Sequence, residues 1–257
     1  MKPFIIWTWR RTGGTNLSEF LFELSSFDEA EDHEPFNPNR MFGAISKEFE
    51  QNEDPIWLEQ QLQLVLETRP LLKHCLEIIP NQLNRTLAEV TTALGYEHLF
   101  LFRERASERL LSFHLARETG VWDTRNHSEY PTPDAIEAAC IPTNRLIQHE
   151  IQCREKMSEI FLLLLSNQQS PHVISYEGLF LRKDEECIAE LQDIIFGLCG
   201  INVDRQLLDT TLLDKKRPGK KILYHRFSNY QNFLERADQL ERYFPAFFYI
   251  DKLRSDA

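Results

Sequence analysis

Phe4-Ile-Ile-Trp-Thr-Trp-Arg-Arg-Thr-Gly-Gly-Thr-Asn-Leu17, continued by Ser-Glu-Phe-Leu-Phe-Glu-Leu24, is the stretch on which the reading of the chain turns. Its opening, rich in Ile, Trp and Thr, predicts a buried strand from about Phe4 to Trp9. Leu17, Phe20, Leu21 and Leu24 then fall on one face at helical spacing. The order is strand, tight glycine turn, helix. The first N–H groups of such a helix have no intrahelical partner and point outward. With the helix dipole they form a seat for an anion. Thr12 and Thr15 add hydroxyl donors to that seat, and Arg10 and Arg11 add fixed charge. The same pattern also suits a plain strand-to-helix turn whose glycines serve packing alone.

Several classes are disfavoured at once. A Walker A loop needs Lys directly before the Ser or Thr at the helix start, but here Gly14-Thr15 is followed by Asn16 and no Lys lies nearby. The GxGxxG pattern of a dinucleotide-binding unit is absent. A formal charge of −11 over 257 residues argues against a broad nucleic-acid surface, with Arg10 and Arg11 as local exceptions. The five cysteines (Cys75, Cys140, Cys153, Cys187 and Cys199) are odd in number and include no CxxC. They predict neither a disulfide framework nor a structural zinc site, and they fit a reducing compartment. No apolar run approaches the roughly eighteen residues of a spanning helix, and the N-terminus has no signal-like apolar region. The expectation is a soluble, cytoplasmic protein forming a single domain over residues 1–257, with its oligomeric state unread.

Further along, Phe27 to Gly43 is a long acidic loop with Asn and Pro. Helices are predicted over Ile56–Thr68, Leu83–Leu94, Ser107–Glu118 and Glu185–Leu198, with a last one over Tyr230–Tyr243. A long helical region runs from Pro133 to Ser166, with a break at Pro142. Strands are predicted at Pro70–Cys75, His98–Phe102 and His172–Tyr176, and Lys215–Lys221 is a basic loop. Strands alternating with helices predict an α/β fold, a parallel sheet flanked by helices. Ligands of such sheets bind at the carboxyl ends of the strands. Lys73 and His74, Arg103, and Tyr176 and Glu177 stand at such ends, as does the glycine turn. Arg103 and Ser112, nine residues apart, form a second candidate anion seat, an Arg fork with a hydroxyl. Read by spacing alone, they are equally a solvated strand end and a helix-surface serine.

Arg11-Thr-Gly-Gly-Thr15 resembles the Arg-Ser-Gly-Thr/Ser-Thr loop of sulfotransferases that use 3′-phosphoadenosine 5′-phosphosulfate (PAPS). Arg103, followed nine residues later by Ser112-Phe-His-Leu-Ala-Arg-Glu-Thr-Gly-Val-Trp122, is similar to a segment of bacterial trehalose 2-sulfotransferases. There Arg, Ser-Phe-Trp-Arg-Ala, Thr and Val-Trp recur in this register. The resemblance covers residues 3–25 and 98–122 well, and 70–80 and 172–180 loosely. It implies a P-loop-like sulfotransferase fold and transfer of a sulfuryl group from PAPS to a hydroxyl of a saccharide, glycolipid or small metabolite, without metal. It also implies that Arg11, Thr12, Gly13, Gly14, Thr15 and Asn16 cradle the 5′ end of the donor, and that Arg103 and Ser112 hold its 3′-phosphate.

For the base that the transfer requires, two residues remain open. Glu34 lies in His33-Glu-Pro-Phe-Asn37, where the trehalose-type enzymes place an acid near a Glu-Pro pair. His74 lies in Leu72-Lys-His-Cys-Leu76, which looks like the Lys-Thr-His of cytosolic sulfotransferases without its Thr. Lys73 would supplement charge at the leaving phosphate. The competing expectation is a nucleotide- or phosphate-binding protein of the same fold without transferase activity.

Overall fold

Four short strands carry the architecture: β1 (Phe4–Thr8), β2 (Leu72–Cys75), β3 (Glu97–Phe102) and β4 (His172–Ser175). All pair in parallel, in the order β2-β1-β3-β4, with β1 and β3 central. A computed structural model describes residues 2–28, 30, 34–122, 140–181, 185–213 and 224–243. The fold is α/β, a four-stranded parallel sheet flanked by helices, as the alternation of elements predicts. The helices are α1 (Gly14–Leu24), α2 (Gly43–Asn52), α3 (Pro55–Val65), α4 (Asn81–Ala93), α5 (Ala106–Thr119) and α6 (Thr143–Ser166). They continue with α7 (Tyr176–Phe180), α8 (Glu185–Cys199), α9 (Arg205–Leu208), a π-helical turn at Asp209–Leu213, and α10 (Tyr230–Tyr243).

Local chemistry sets several boundaries. Asp54 caps α3 by accepting from the N–H groups of Ile56 and Trp57, with Pro55 at the first helical position. The fourth strand ends one residue earlier than expected because the Ser175 hydroxyl accepts from Gly178 N at 2.9 Å and starts α7. The sequence reading gave no element to α2, whose first residue, Gly43, lies so close to the Asn37 carbonyl that a Cβ there would sit 2.4 Å from it. The basic run Lys215–Lys221 and the stretch 123–139 lie outside the described residues.

The chain divides into two compact units, Met1–Phe102 with Glu155–Asp214, and Arg103–Arg154 with Lys215–Ala257. In the first unit, β1 is buried on both faces, since successive side chains alternate. Phe4 and Ile6 pack with Leu17, Phe20 and Leu21 of α1 and with Ile195 and Leu198 of α8. Trp7 faces the other way, where the rings of His74, His98 and Phe100 surround it and Phe161 of α6 meets Phe100. In the second unit, apolar residues of α5 and α10 share a core, among them Leu110, Phe113, Phe233 and Leu240. Buried beside them, Glu150 accepts from Arg109 Nε at 2.8 Å and from Arg154 Nε at 2.9 Å. Burial raises the Glu150 pKa, but the two guanidinium groups outweigh it and hold the carboxyl below its usual range. Removing Glu150 would take this carboxylate from both buried guanidinium groups.

On the Trp7 face, the indole N–H donates to His98 Nδ1 at 3.0 Å, so the imidazole proton sits on Nε2, which donates to Thr92 Oγ1 at 3.2 Å. Burial pushes the His98 pKa down to about 3, and burial pushes His74 down to about 4 against its bond to Asn84. His114 and His172 shift in the same direction. An unfolded histidine titrates near 6.5, so below that pH the unfolded chain binds more protons than the folded one, and stability is lost as the pH falls. Each fully neutral buried histidine contributes a slope approaching roughly 1.4 kcal/mol per pH unit between about pH 6 and 5, above most carboxylate titration. Urea unfolding of His98→Gln is therefore expected to lose one histidine's share of that slope. An unchanged slope would mean that His98 is not held neutral.

Candidate functional site

The turn after β1 is wound by two left-handed residues, Arg11 at φ 70° and Gly13 at φ 86°. Gly13 is the residue before α1, so the N–H groups of Gly14, Thr15 and Asn16 open the helix without intrahelical partners. A Cβ at Gly13 would meet Phe180 Cε2 at 2.9 Å and Tyr176 Cδ2 at 3.0 Å. The rings of α7 therefore lie directly on the turn. Thr12 departs from expectation. Its hydroxyl is turned inward, 1 % exposed, 2.8 Å from the Trp9 carbonyl and 2.5 Å from Thr8 Oγ1. Thr8 in turn reaches the Leu101 carbonyl of β3 at 3.0 Å. Thr12 thus rivets the turn to the sheet and offers a ligand no hydroxyl. Thr15 is exposed and Asn16 half-exposed on the first turn of α1.

Arg10 and Arg11 have different surroundings. The Glu77 carboxylate accepts from Arg10 N at 2.7 Å and from Arg10 Nε at 3.0 Å, so Arg10 is tied to the turn after β2. Arg11 is half-exposed at the apex of the turn.

Lys73 completes the constellation. Its partner in register is Ile6, which faces α1, so Lys73 rises on the α1 side of the sheet while His74 points the other way. The Lys73 stem crosses Gly14, where a Cβ would lie 3.5 Å from its Cδ. Its ammonium, nearly buried, donates to Thr15 Oγ1 at 3.1 Å and pairs with Glu34 Oε1 at 3.0 Å. The charge that a Walker A lysine would bring from within the loop arrives here from the neighbouring strand.

Glu34 reaches this point around the sheet edge. The chain after α1 runs along β2, with Ala30 N bonded to the Leu71 carbonyl and Leu71 N to the Asp28 carbonyl. Glu34 has φ 61°, and Phe36 anchors the turn behind it, fully buried against His74 and Phe42. Burial raises the Glu34 pKa. The ammonium of Lys73, a hydrogen bond from it, a bond from the Cys75 thiol and the charge of Arg10 together outweigh burial and leave the carboxyl below its usual value. Cys75, two residues beyond Lys73 on the same face, is held as a neutral thiol by burial and by the adjacent carboxylates.

His74 stands apart from this group. It is 2 % exposed, edge-on to Trp7, with Nε2 2.8 Å from Asn84 Oδ1. Asn84 donates its amide to the Leu76 carbonyl, so its oxygen must accept from His74. Glu34 and Lys73 are thus brought together at the α1 turn, and His74 is built into the opposite face. The sequence reading missed Glu77, Cys75 and Asn84. The alternation of β2 would have placed Cys75 beside Lys73.

In the second unit, the Arg103 guanidinium meets Glu108 Oε2 at 3.4 Å. Ser112 lies one turn beyond Glu108, so the two share a face of α5. Glu241 accepts from Ala106 N at 2.7 Å and closes the N-terminus of that helix. Among the described residues no group of three or more His, Cys, Asp or Glu is arranged to hold a metal ion, and no helix is long and apolar enough to cross a membrane. No family model and no curated protein matches the chain.

The packing at Gly13 separates two effects. Gly95 also has positive φ, 80°, but nothing lies within 4 Å of a Cβ there. Gly95→Ala is expected to lower stability by about 1 kcal/mol through the dihedral alone. Gly13→Ala adds displacement of the α7 rings and is expected to lower it further. Equal midpoint shifts in urea would show that the rings do not press on the turn.

Proposed function

We propose that the chain is a sulfotransferase that moves the sulfuryl group of PAPS to a hydroxyl of a saccharide, glycolipid or small metabolite. The observation that carries this reading is the grouping of Lys73, Thr15 and Glu34, a nearly buried ammonium and a carboxylate at the N-terminus of α1. Sulfuryl transfer needs a cation for the leaving phosphate and a base for the acceptor. Both stand beside the α1 turn, Lys73 from β2 and Glu34 from the loop at its edge, and the resemblance of the Arg11–Thr15 turn to a PAPS loop agrees with them.

In this reading the N–H groups of Gly14, Thr15 and Asn16, with Arg11 and Lys73, hold the 5′-phosphate. They stabilise the charge it gains as its bridging oxygen parts from sulfur. Glu34 takes the proton of the acceptor hydroxyl as the new O–S bond forms and holds it on its carboxyl, while the 5′-phosphate departs with the electrons of the broken S–O bond. Positioning and fixed positive charge supply the catalysis. The pairing with Lys73 tunes the base. While Lys73 holds Glu34 the carboxylate is a weak base. When the ammonium turns to the phosphate, burial dominates and the affinity of Glu34 for a proton rises. Glu34 is favoured over His74 because His74 has its Nε2 committed to Asn84 on the far face. Arg103 and Ser112 keep the role that the resemblance implies for them, the 3′-phosphate.

The test begins with binding. 3′,5′-Diphosphoadenosine (PAP) at 100-fold over its Kd is expected to stabilise the chain by about 2.7 kcal/mol without magnesium. Ser112→Ala should weaken PAP by roughly 1.5–3 kcal/mol and leave adenosine 5′-phosphosulfate, which lacks the 3′-phosphate, unaffected. A screen of labelled PAPS against sugar and lipid extracts then identifies the acceptor. Glu34→Gln is expected to lower kcat about 10²–10⁴-fold with PAP binding retained. Lys73→Met should cut turnover and move the acidic limb of the residual pH–rate profile upward, since burial of Glu34 is then unopposed by its main partner. PAP binding with no transfer to any acceptor would favour the non-catalytic alternative. Normal turnover in Glu34→Gln would remove Glu34 as the base.

A further inference from the structure

In the second unit, α5 and the first turns of α6 enclose a cleft of about 350 Å³ that the donor-site reading does not use. Phe113 and Arg117 line it from α5, and Arg145, Gln148, His149 and Gln152 line it from α6. The spacings explain the grouping. Phe113 and Arg117 are four residues apart, as are Arg145 and His149, and Gln148 and Gln152, so each pair rises on one face of its helix. The floor is ordered. The His149 ring stacks on Phe113 at 4.7 Å and 12°, and its Nε2 lies 3.6 Å from Cys153 Sγ. The Arg117 guanidinium sits over the Phe113 ring at 5.9 Å, which limits its freedom before anything binds.

Among the described residues no acidic side chain lines this cleft, although the whole chain carries a formal charge of −11. Two guanidinium groups and two primary amides converge there. A guanidinium fork matches the geometry of carboxylate, sulfate and phosphate oxygens, and amide N–H groups supply further donors. We propose that the cleft is a binding site for the oxyanion group of a small ligand, lined by no residue of the α1 turn and independent of whether the chain transfers sulfuryl groups.

The full-length chain decides this in an NMR titration with three probes: inorganic sulfate, inorganic phosphate and glucuronate. The expected result is saturable shifts of the Gln148 and Gln152 side-chain amides, with at least one probe, that saturating PAP does not abolish. Tighter binding of glucuronate than of the inorganic ions points to a carboxylate on a sugar-sized body. The reverse order points to a sulfate or phosphate group. Arg117→Ala and Arg145→Ala, both at exposed positions, should each weaken binding about tenfold, as expected for loss of a charged hydrogen bond. Arg205→Ala, which removes a surface arginine paired with Glu185, should leave it unchanged. The proposal is overturned if no probe gives saturable shifts at Gln148 and Gln152. It is equally overturned if the Arg117→Ala/Arg145→Ala double variant, shown folded by circular dichroism, binds as the parent does.

Discussion

An ammonium group removed from water must find partners, and the burial of Lys73 is the constraint from which much of the first unit follows. Lys73 is only 4 % exposed, and an unpaired charge at that depth would be strongly destabilising. Its partners, the Thr15 hydroxyl and the Glu34 carboxylate, come from two other segments of the chain. A Cβ on Gly14 would press on Thr8 Cγ2 at 3.2 Å and would only touch the lysine stem at 3.5 Å. The Glu-Pro-Phe turn is pinned by Phe36 so that Glu34 arrives at the edge of β2. One charge therefore fixes the register of the loop, the helix start and the edge strand together.

The other face of the sheet solves the opposite problem with the same alternation. There the polar groups are histidines kept neutral, one accepting from Trp7 and donating to Thr92, the other donating to Asn84. Consecutive residues of β2, Lys73 and His74, thus belong to two different environments, one charged and one aromatic. The period of two in a strand makes this separation obligatory.

Much of the framework was legible in the sequence because it rests on local patterns. The four strands, the glycine turn and most of the longer helices are read from composition and period. The inward turn of Thr12 was not, because it depends on Thr8 and on the Leu101 carbonyl, a neighbour created only when β1 and β3 pair. Which of Glu34 and His74 lies beside the glycine turn was closed to spacing for a similar reason. It required the register Ile6 with Lys73, and the knowledge that α1 covers the Ile6 side. The Glu34 turn read as a long polar loop because its anchor, Phe36, binds through tertiary packing alone.

Backbone strain gives an independent pointer to the same place. Five described residues other than glycine have positive φ: Arg11, Glu34, Glu53, Arg69 and Gln168. Glu53 ends α2, and Arg69 and Gln168 follow the closing turns of α3 and α6, where a left-handed residue is an ordinary way to stop a helix. Arg11 and Glu34 follow no helix end among the described residues. Each is held in an unfavourable conformation by contacts around it: Arg11 by the rivet of Thr12 and the pairing of Arg10, Glu34 by Phe36 and by Lys73. Strain of this kind, on the order of 1–3 kcal/mol per residue, persists only where surrounding structure over-determines it. Glu34 pairs with the Lys73 ammonium, and Arg11 stands in the turn before α1, the helix whose Thr15 accepts from Lys73. The left-handed backbone of Glu34, its carboxylate and the buried Lys73 cation therefore coincide at one point of the fold.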